Sequence, residues 1–98
     1  MLPINITRLA SEQIYEAASW WRANRPAASE ALEEELRQAF HLISLQPAMG
    51  AIATNARLAG VRRIHLSRIR YFLYYRVSTS GIEVLGLWHS SRGEAPVL

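Results

Sequence analysis

The sequence predicts an α+β fold, a two-layer sandwich in which a helical hairpin packs on a mainly antiparallel sheet, with the elements in the order β-α-α-β-β-β. Three observations carry this expectation. Two consecutive stretches of the first half repeat apolar residues at helical spacing, the segment Asn24-Arg25-Pro26 separates them, and the second half holds three runs rich in branched and aromatic residues joined by short connections. An amphipathic hairpin needs an apolar surface to cover, and the inner face of a sheet supplies one.

The chain opens with Ile4 and Ile6 alternating with Asn5 and Thr7, the pattern of a short, half-buried strand whose start is placed by Pro3. Ser11 then offers an N-cap and Glu12 suits the positive end of a helix dipole. Ile14, Ala17, Ala18 and Trp21 follow on one stripe, so a first helix is predicted over about 11–24. Pro26 disfavours helical geometry in the residue before it and fits the first turn of a new helix. The second helix carries Ala28, Leu32, Leu36, Ala39, Phe40 and Ile43 on its apolar stripe, with Glu33 and Arg37 as a favourably ordered i,i+4 pair outside it. Pro47 and Gly50 end that helix, and the stretch to Gly60 reads as a loop.

Three strands are predicted at about 61–66, 70–77 and 82–89. Their connections, Ser67-Arg68-Ile69 and Ser78-Thr79-Ser80-Gly81, are short enough that the strands must be antiparallel neighbours. Period-2 geometry puts Tyr71, Leu73, Tyr75 and Val77 on one face of the middle strand, the better core face, and Phe72, Tyr74 and Arg76 on the other. On the last strand the same rule groups Ile82, Val84, Gly86 and Trp88 against Glu83, Leu85, Leu87 and His89. Both of its faces are partly apolar, and periodicity alone does not say which is the core side.

With 98 residues, half of them hydrophobic and 19% charged, a single domain over 1–98 is expected. The absence of Cys excludes a disulfide framework, a thiolate zinc site and a cysteine nucleophile. The N-terminus lacks a basic start and an unbroken apolar stretch, and no apolar run approaches the roughly 20 residues of a membrane span, which makes a cytoplasmic protein with no membrane partner the expectation. Charge is divided along the chain. Residues 1–46 hold four Arg and six Glu, a balance of −2, while residues 47–98 hold seven Arg and two Glu, a balance of +5, together the net +3. Six arginines lie between Arg57 and Arg76 with no acid among them, a field that attracts phosphates or an acidic protein segment. No Lys is present, so there is no lysine base. Guanidinium groups suit planar recognition of phosphate or carboxylate, although Arg without Lys also follows from codon usage in a GC-rich genome.

Arg62, Arg63, Arg68 and Arg70 flank the first tight sheet connection and are candidates for a phosphate-binding surface. The alternative is that they are solvated strand ends guarding a sheet edge. His89, with Ser90, Ser91 and Arg92, stands where the last strand ends. No metal site and no cofactor are expected, because His41, His65 and His89 are dispersed. No G-x-S-x-G elbow and no Asp occurs, so a serine triad is not supported. His65 and His89 are the available acid and base for attack by a ribose 2′-hydroxyl. Trp20 lies roughly 100° from the centre of the first helix's stripe. It is a candidate partner contact, or a residue packed at the margin between the helices.

Taken in order, Ala17-Ala18-Ser19-Trp20-Trp21, Asn24-Arg25-Pro26, Pro47, Gly50, Val61-Arg62-Arg63, Tyr74-Tyr75-Arg76-Val77, Ile82-Glu83-Val84-Leu85 and Trp88-His89-Ser90-Ser91-Arg92 make the chain resemble the RelE/ParE toxins over nearly its full length. The resemblance implies a RelE/ParE-like sandwich and a type II toxin–antitoxin system, with a cognate antitoxin encoded in the same operon and operator DNA bound only through that antitoxin. Relatives similar to RelE cut messenger RNA on the ribosome, and those similar to ParE poison DNA gyrase. Lys is absent, the mid-strand basic position is Phe72, and the tail Gly93-Glu94-Ala95-Pro96-Val97-Leu98 has no Tyr or His, departures that favour the ParE-like branch and a non-enzymatic toxin. A nuclease would draw on Arg63, Arg76 and His89. A third reading is a degenerate member that binds only its antitoxin. The resemblance implies target contacts at Arg62, Arg63, Arg68, Arg70, Arg76, His89 and Arg92, and antitoxin contacts at Trp20, Arg62 and Arg63.

Overall fold

The computed structural model describes residues 1–54, 56–92, 96 and 98. Its elements are β1 (Ile4–Ile6), α1 (Arg8–Asn24), a 3₁₀ turn (Pro26–Ala28), α2 (Ala31–Leu45), β2 (Ala51–Ile52), β3 (Arg62–Leu66), β4 (Tyr71–Ser78) and β5 (Gly81–His89). The two helices pack on one face of a five-stranded sheet of order β1-β5-β4-β3-β2. The expected β-α-α-β-β-β sandwich is present, with one added piece. Ala51 and Ile52 leave the predicted loop to pair antiparallel with Arg63 and Arg62 as a two-residue edge strand, too short for any periodicity to announce.

Helix α1 begins three residues before the predicted start. Thr7, in extended geometry, accepts a hydrogen bond from the Ala10 N–H on its own hydroxyl at 3.2 Å, so it is the N-cap in place of Ser11. Pro26 opens the 3₁₀ turn, not α2, and Ala28 is consequently exposed instead of lying on the α2 stripe. Leu32, Leu36, Ala39 and Ile43 are buried as predicted, with Phe40 half-buried.

Strand β1 runs parallel to β5, pairing Ile4 with Ile82 and Ile6 with Val84. Here Gly81 is required. Its φ is +131°, and a Cβ would stand 2.5 Å from the Pro3 carbonyl oxygen, a combination only glycine tolerates. Past Val84 no described strand lies beside the outer edge of β5, and the Gln13 side chain accepts the Leu87 N–H at 2.8 Å. That bond satisfies a main-chain donor which β1 is too short to reach.

Antiparallel pairing of β4 with β5 is interrupted once. Tyr74 pairs with Gly86 and Tyr75 with Val84, which leaves Leu85 as an extra residue in β5, a β-bulge. Strict alternation along β5 therefore fails. Ile82 and Val84 before the bulge and Leu87 after it all join the main core with Leu73 and Tyr75, while Leu85 joins Val61 and Tyr74 in a smaller cluster on the other face. The middle strand keeps its predicted core face, except that Val77 is half exposed.

Tyr75 ties the α2–β2 loop to the sheet. Its buried hydroxyl donates to the Pro47 carbonyl at 2.7 Å and accepts the Gly50 N–H at 2.9 Å. A side chain at Gly50 would place its Cβ 2.7 Å from that hydroxyl, so only glycine admits the approach. Burial pushes the Tyr75 pKa above its ordinary 10.0, against the smaller opposing effects of the Gly50 hydrogen bond and the Arg62 charge.

Two stability measurements follow. Thr7→Ala should cost about 1 kcal/mol and Ser11→Ala under about 0.5 kcal/mol in denaturant titrations. Tyr75→Phe leaves a buried N–H and carbonyl unpaired and should cost about 1–3 kcal/mol near neutral pH. The sign of its pH dependence follows from the raised pKa: unfolded chains release the phenolic proton first, so wild-type stability falls as pH rises past 10.0, and the variant should lose less over that range.

Candidate functional site

The register of β3, β4 and β5 decides where each candidate side chain lies. Tyr71 pairs with His89 and Leu73 with Leu87 on the face the helices cover, whereas Arg63 pairs with Tyr74, His65 with Phe72, Phe72 with Trp88 and Arg76 with Glu83 on the opposite face. His89 is thus separated by the sheet from Arg63, Arg76 and His65.

On the helix side, His89 sets its ring edge-on to Tyr71 at 5.0 Å between centroids. Its Nδ1 accepts the Ser91 N–H at 3.2 Å and lies 2.6 Å from the Ser91 hydroxyl. Tyr71 has its pKa raised above the usual tyrosine range by burial, with the Arg92 charge and the Trp21 indole opposing. Trp20, Glu16, Gln13, His89 and Arg92 join Tyr71 around a cleft of about 230 Å³. This brings Trp20 together with His89 and Arg92, which the sequence singled out apart from it. Trp20 is half exposed and meets Trp21 in an edge arrangement at 5.9 Å, while the buried Trp21 indole N–H makes no hydrogen bond of regular geometry among the described residues.

Sequence reasoning missed a second depression. A groove of about 470 Å³ runs between the helices, floored by Ile14, Ala18, Leu32, Leu36 and Phe40 and rimmed by Arg22, Glu30, Glu33 and Arg37. The signal was present in the two apolar stripes, which are wider than the sheet can cover, so part of each stays half exposed.

The four arginines around the β3–β4 connection do not converge on one patch. Arg62 turns back to donate to the carbonyls of Gly50 at 2.7 Å and Ala48 at 3.2 Å. Arg68 reaches Glu34 on α2 at 2.9 Å. Arg70 holds a φ of 61°, a left-handed conformation that closes the turn. Its carbonyl there accepts both the Ser90 N–H and the Ser90 hydroxyl. Arg63 lies on the open face with its guanidinium 4.2 Å above the Phe72 ring centre. Arg76 is committed to Glu83 at 2.8 Å. Arg92 lies 4.3 Å over the Trp88 ring. Of the tail expected to lack nuclease groups, residues 93–95 and 97 lie outside the described residues.

Among the described residues no three His, Cys, Asp or Glu side chains are grouped to hold a metal ion. None of the described helices is long and apolar enough to cross a membrane.

These placements separate Arg62, which holds the loop after α2, from Arg63, whose guanidinium lies over Phe72 and 3.5 Å from the Tyr74 hydroxyl. Arg62→Ala, which abandons two loop carbonyls, should lower unfolding free energy by about 1–2 kcal/mol. Arg63→Ala should change it by under about 0.5 kcal/mol, as read by chemical denaturation.

No curated protein matches the sequence. In fold, the chain is similar to a solved structure described as the chromosomal ParDE TA system from P. aeruginosa, with a TM-score of 0.73 and 19% identity, over 91% of this chain and 96% of that one. Residues 4–93 match the family described as ParE toxin of type II toxin-antitoxin system, parDE, and since that span takes in both helices and all five strands, the chain belongs to the ParE toxin family.

Proposed function

We propose that this protein is the toxin of a type II toxin–antitoxin pair, that it acts by inhibiting DNA gyrase, and that an antitoxin encoded in the same operon holds it inactive. One observation supports gyrase inhibition over cleavage of messenger RNA: the groups a nuclease would use lie on two faces of the sheet. Attack by a 2′-hydroxyl needs a base, an acid and a cation around one phosphate, and each well-placed acid or base contributes about 10²–10⁴ in rate. His89 faces the helices with its Nδ1 engaged by Ser91, and Arg63 and His65 face away. Arg76, which a nuclease would also draw on, is paired with Glu83.

Antitoxin capture is supported by the apolar interhelical groove, which has the form that receives an amphipathic segment, and by half-exposed Trp20, which lines the separate cleft beside Tyr71. Arg63, Arg70 and Arg92, with no carboxylate partner among the described residues, are the arginines we assign to target contact. Operator DNA is contacted through the antitoxin.

The reading is tested by induced expression together with a supercoiling and cleavage assay on purified gyrase. Double-strand breaks and a DNA-damage response are expected, and the His65→Gln/His89→Gln variant should still arrest growth. Cuts in messenger RNA at the ribosomal A site within minutes of induction, lost in that variant, would overturn it.

A further inference from the structure

Two serines follow β5, and their hydroxyls meet different partners. Ser90 donates its hydroxyl to the Arg70 carbonyl at 2.8 Å, an amide oxygen that does not take a proton near neutral pH. The exposed Ser91 hydroxyl instead lies 2.6 Å from His89 Nδ1. The Ser91 N–H also donates to that nitrogen, at 3.2 Å, so in the neutral ring Nδ1 carries the lone pair and Nε2 the hydrogen. The Ser91 hydroxyl therefore donates to a base. The ring is oriented by this N–H and by its edge contact with Tyr71, 5.0 Å between centroids. Beside it lies the cleft of about 230 Å³, with Trp20, Tyr71 and Leu87 as apolar walls and Glu16 and Arg92 as its charged groups.

A hydroxyl that donates to an oriented imidazole is the arrangement that turns serine into a nucleophile. We propose that Ser91 is a nucleophilic site that takes the acyl group of a small activated ester of an aromatic alcohol, with His89 as its base. Attack forms a bond from Ser91 Oγ to the ester carbonyl carbon while the Oγ proton passes to His89 Nδ1. Once protonated, Nδ1 no longer accepts the Ser91 N–H, and that donor is released close to the developing oxyanion. Collapse breaks the bond to the aromatic alcohol, which leaves with the proton from Nδ1. The net products are an acyl ester on Ser91 and a free phenol. The cleft sets the size of the substrate: its volume of about 230 Å³ is below the roughly 300–1,000 Å³ of drug-sized sites and suits a single ring against Trp20 and Tyr71. Among the described residues no carboxylate hydrogen-bonds His89 Nε2, so the pair is a dyad, and its reaction is slow beside that of a triad. This chemistry does not depend on gyrase inhibition.

The test is incubation of the purified full chain with p-nitrophenyl acetate, following nitrophenol release and locating the acetyl group by peptide mass mapping. The acetyl group is expected on Ser91 and not on Ser90. Ser91→Ala, at an exposed position, should keep the thermal midpoint and lose the adduct. In His89→Gln the amide oxygen can still accept the Ser91 N–H but cannot take a proton. Acetylation of Ser91 should then slow on the order of a hundredfold, the lower end of what a positioned base supplies. Trp20→Ala should raise the ester concentration needed for half-maximal rate. Thermal midpoints are read for every variant, and if His89→Gln loses its fold, the comparison of Ser90 with Ser91 and of the folded with the urea-unfolded chain still decides. Acetylation that falls on Tyr71 or Ser90 in place of Ser91, undiminished labelling in a folded His89→Gln, an unaltered concentration dependence in Trp20→Ala, or no more adduct than the unfolded chain acquires would each overturn the proposal.

Discussion

Leu85 is one residue more than β4 can pair, and much of the arrangement around the sheet follows from how that excess is absorbed. A bulge between the Tyr74–Gly86 and Tyr75–Val84 pairs lets β5 exchange the side-chain parity of its two halves without leaving the sheet. Ile82 and Val84 are thereby able to share the helix-facing core with Leu87, and Leu85 is released to the far side, where it packs with Val61 and Tyr74. Without the shift, Leu87 would point away from the helices and Trp88 would be driven under α1. The same parity change carries His89 to the helix side, beside Tyr71, and Trp88 to the open side, beside Phe72.

The elements around this pair of strands are held by single polar groups at places where main-chain partners run out. Gln13 finishes the edge that β1 leaves at Leu87, Tyr75 pins the loop after α2, and Arg62 closes the same loop from β3. Each satisfies a donor or acceptor that would otherwise be stranded. Arg62 is therefore part of the scaffold despite standing in the middle of the basic run. Arg68 and Arg76 are likewise engaged, with Glu34 and Glu83, so the charge that remains for other molecules is smaller and more localised than the sequence total implies.

The result is a molecule with two chemically distinct sides. The helical side has an apolar groove and a separate cleft with a half-exposed Trp20. On the other side of the sheet Phe72 and Trp88 pack with Ala53, Ala56 and Leu98, and the guanidinium groups of Arg63 and Arg92 lie over the two rings. A toxin that works by occupying its target needs shape and charge, where a nuclease needs a proton donor and acceptor on one phosphate. The sheet divides His89 from Arg63 and His65.

The sequence by itself determined the class of fold, the hairpin and the three long strands, because these rest on local periodicity and on breakers such as Pro26 and Pro47 that act within a few residues. It also carried enough ordered pieces, from Trp20-Trp21 to Trp88-His89, to indicate the family. What only the tertiary structure decided depends on contacts between distant residues. The parallel pairing of β1 with β5, the two-residue strand β2 and the bulge at Leu85 are set by which backbone groups find partners across the sheet, and no local pattern encodes that choice. The candidate site shows the same division. Runs of arginine were visible at once, but whether each guanidinium met a carbonyl, a carboxylate or a ring was settled by neighbours such as Gly50, Glu34 and Phe72, the first two many positions away along the chain.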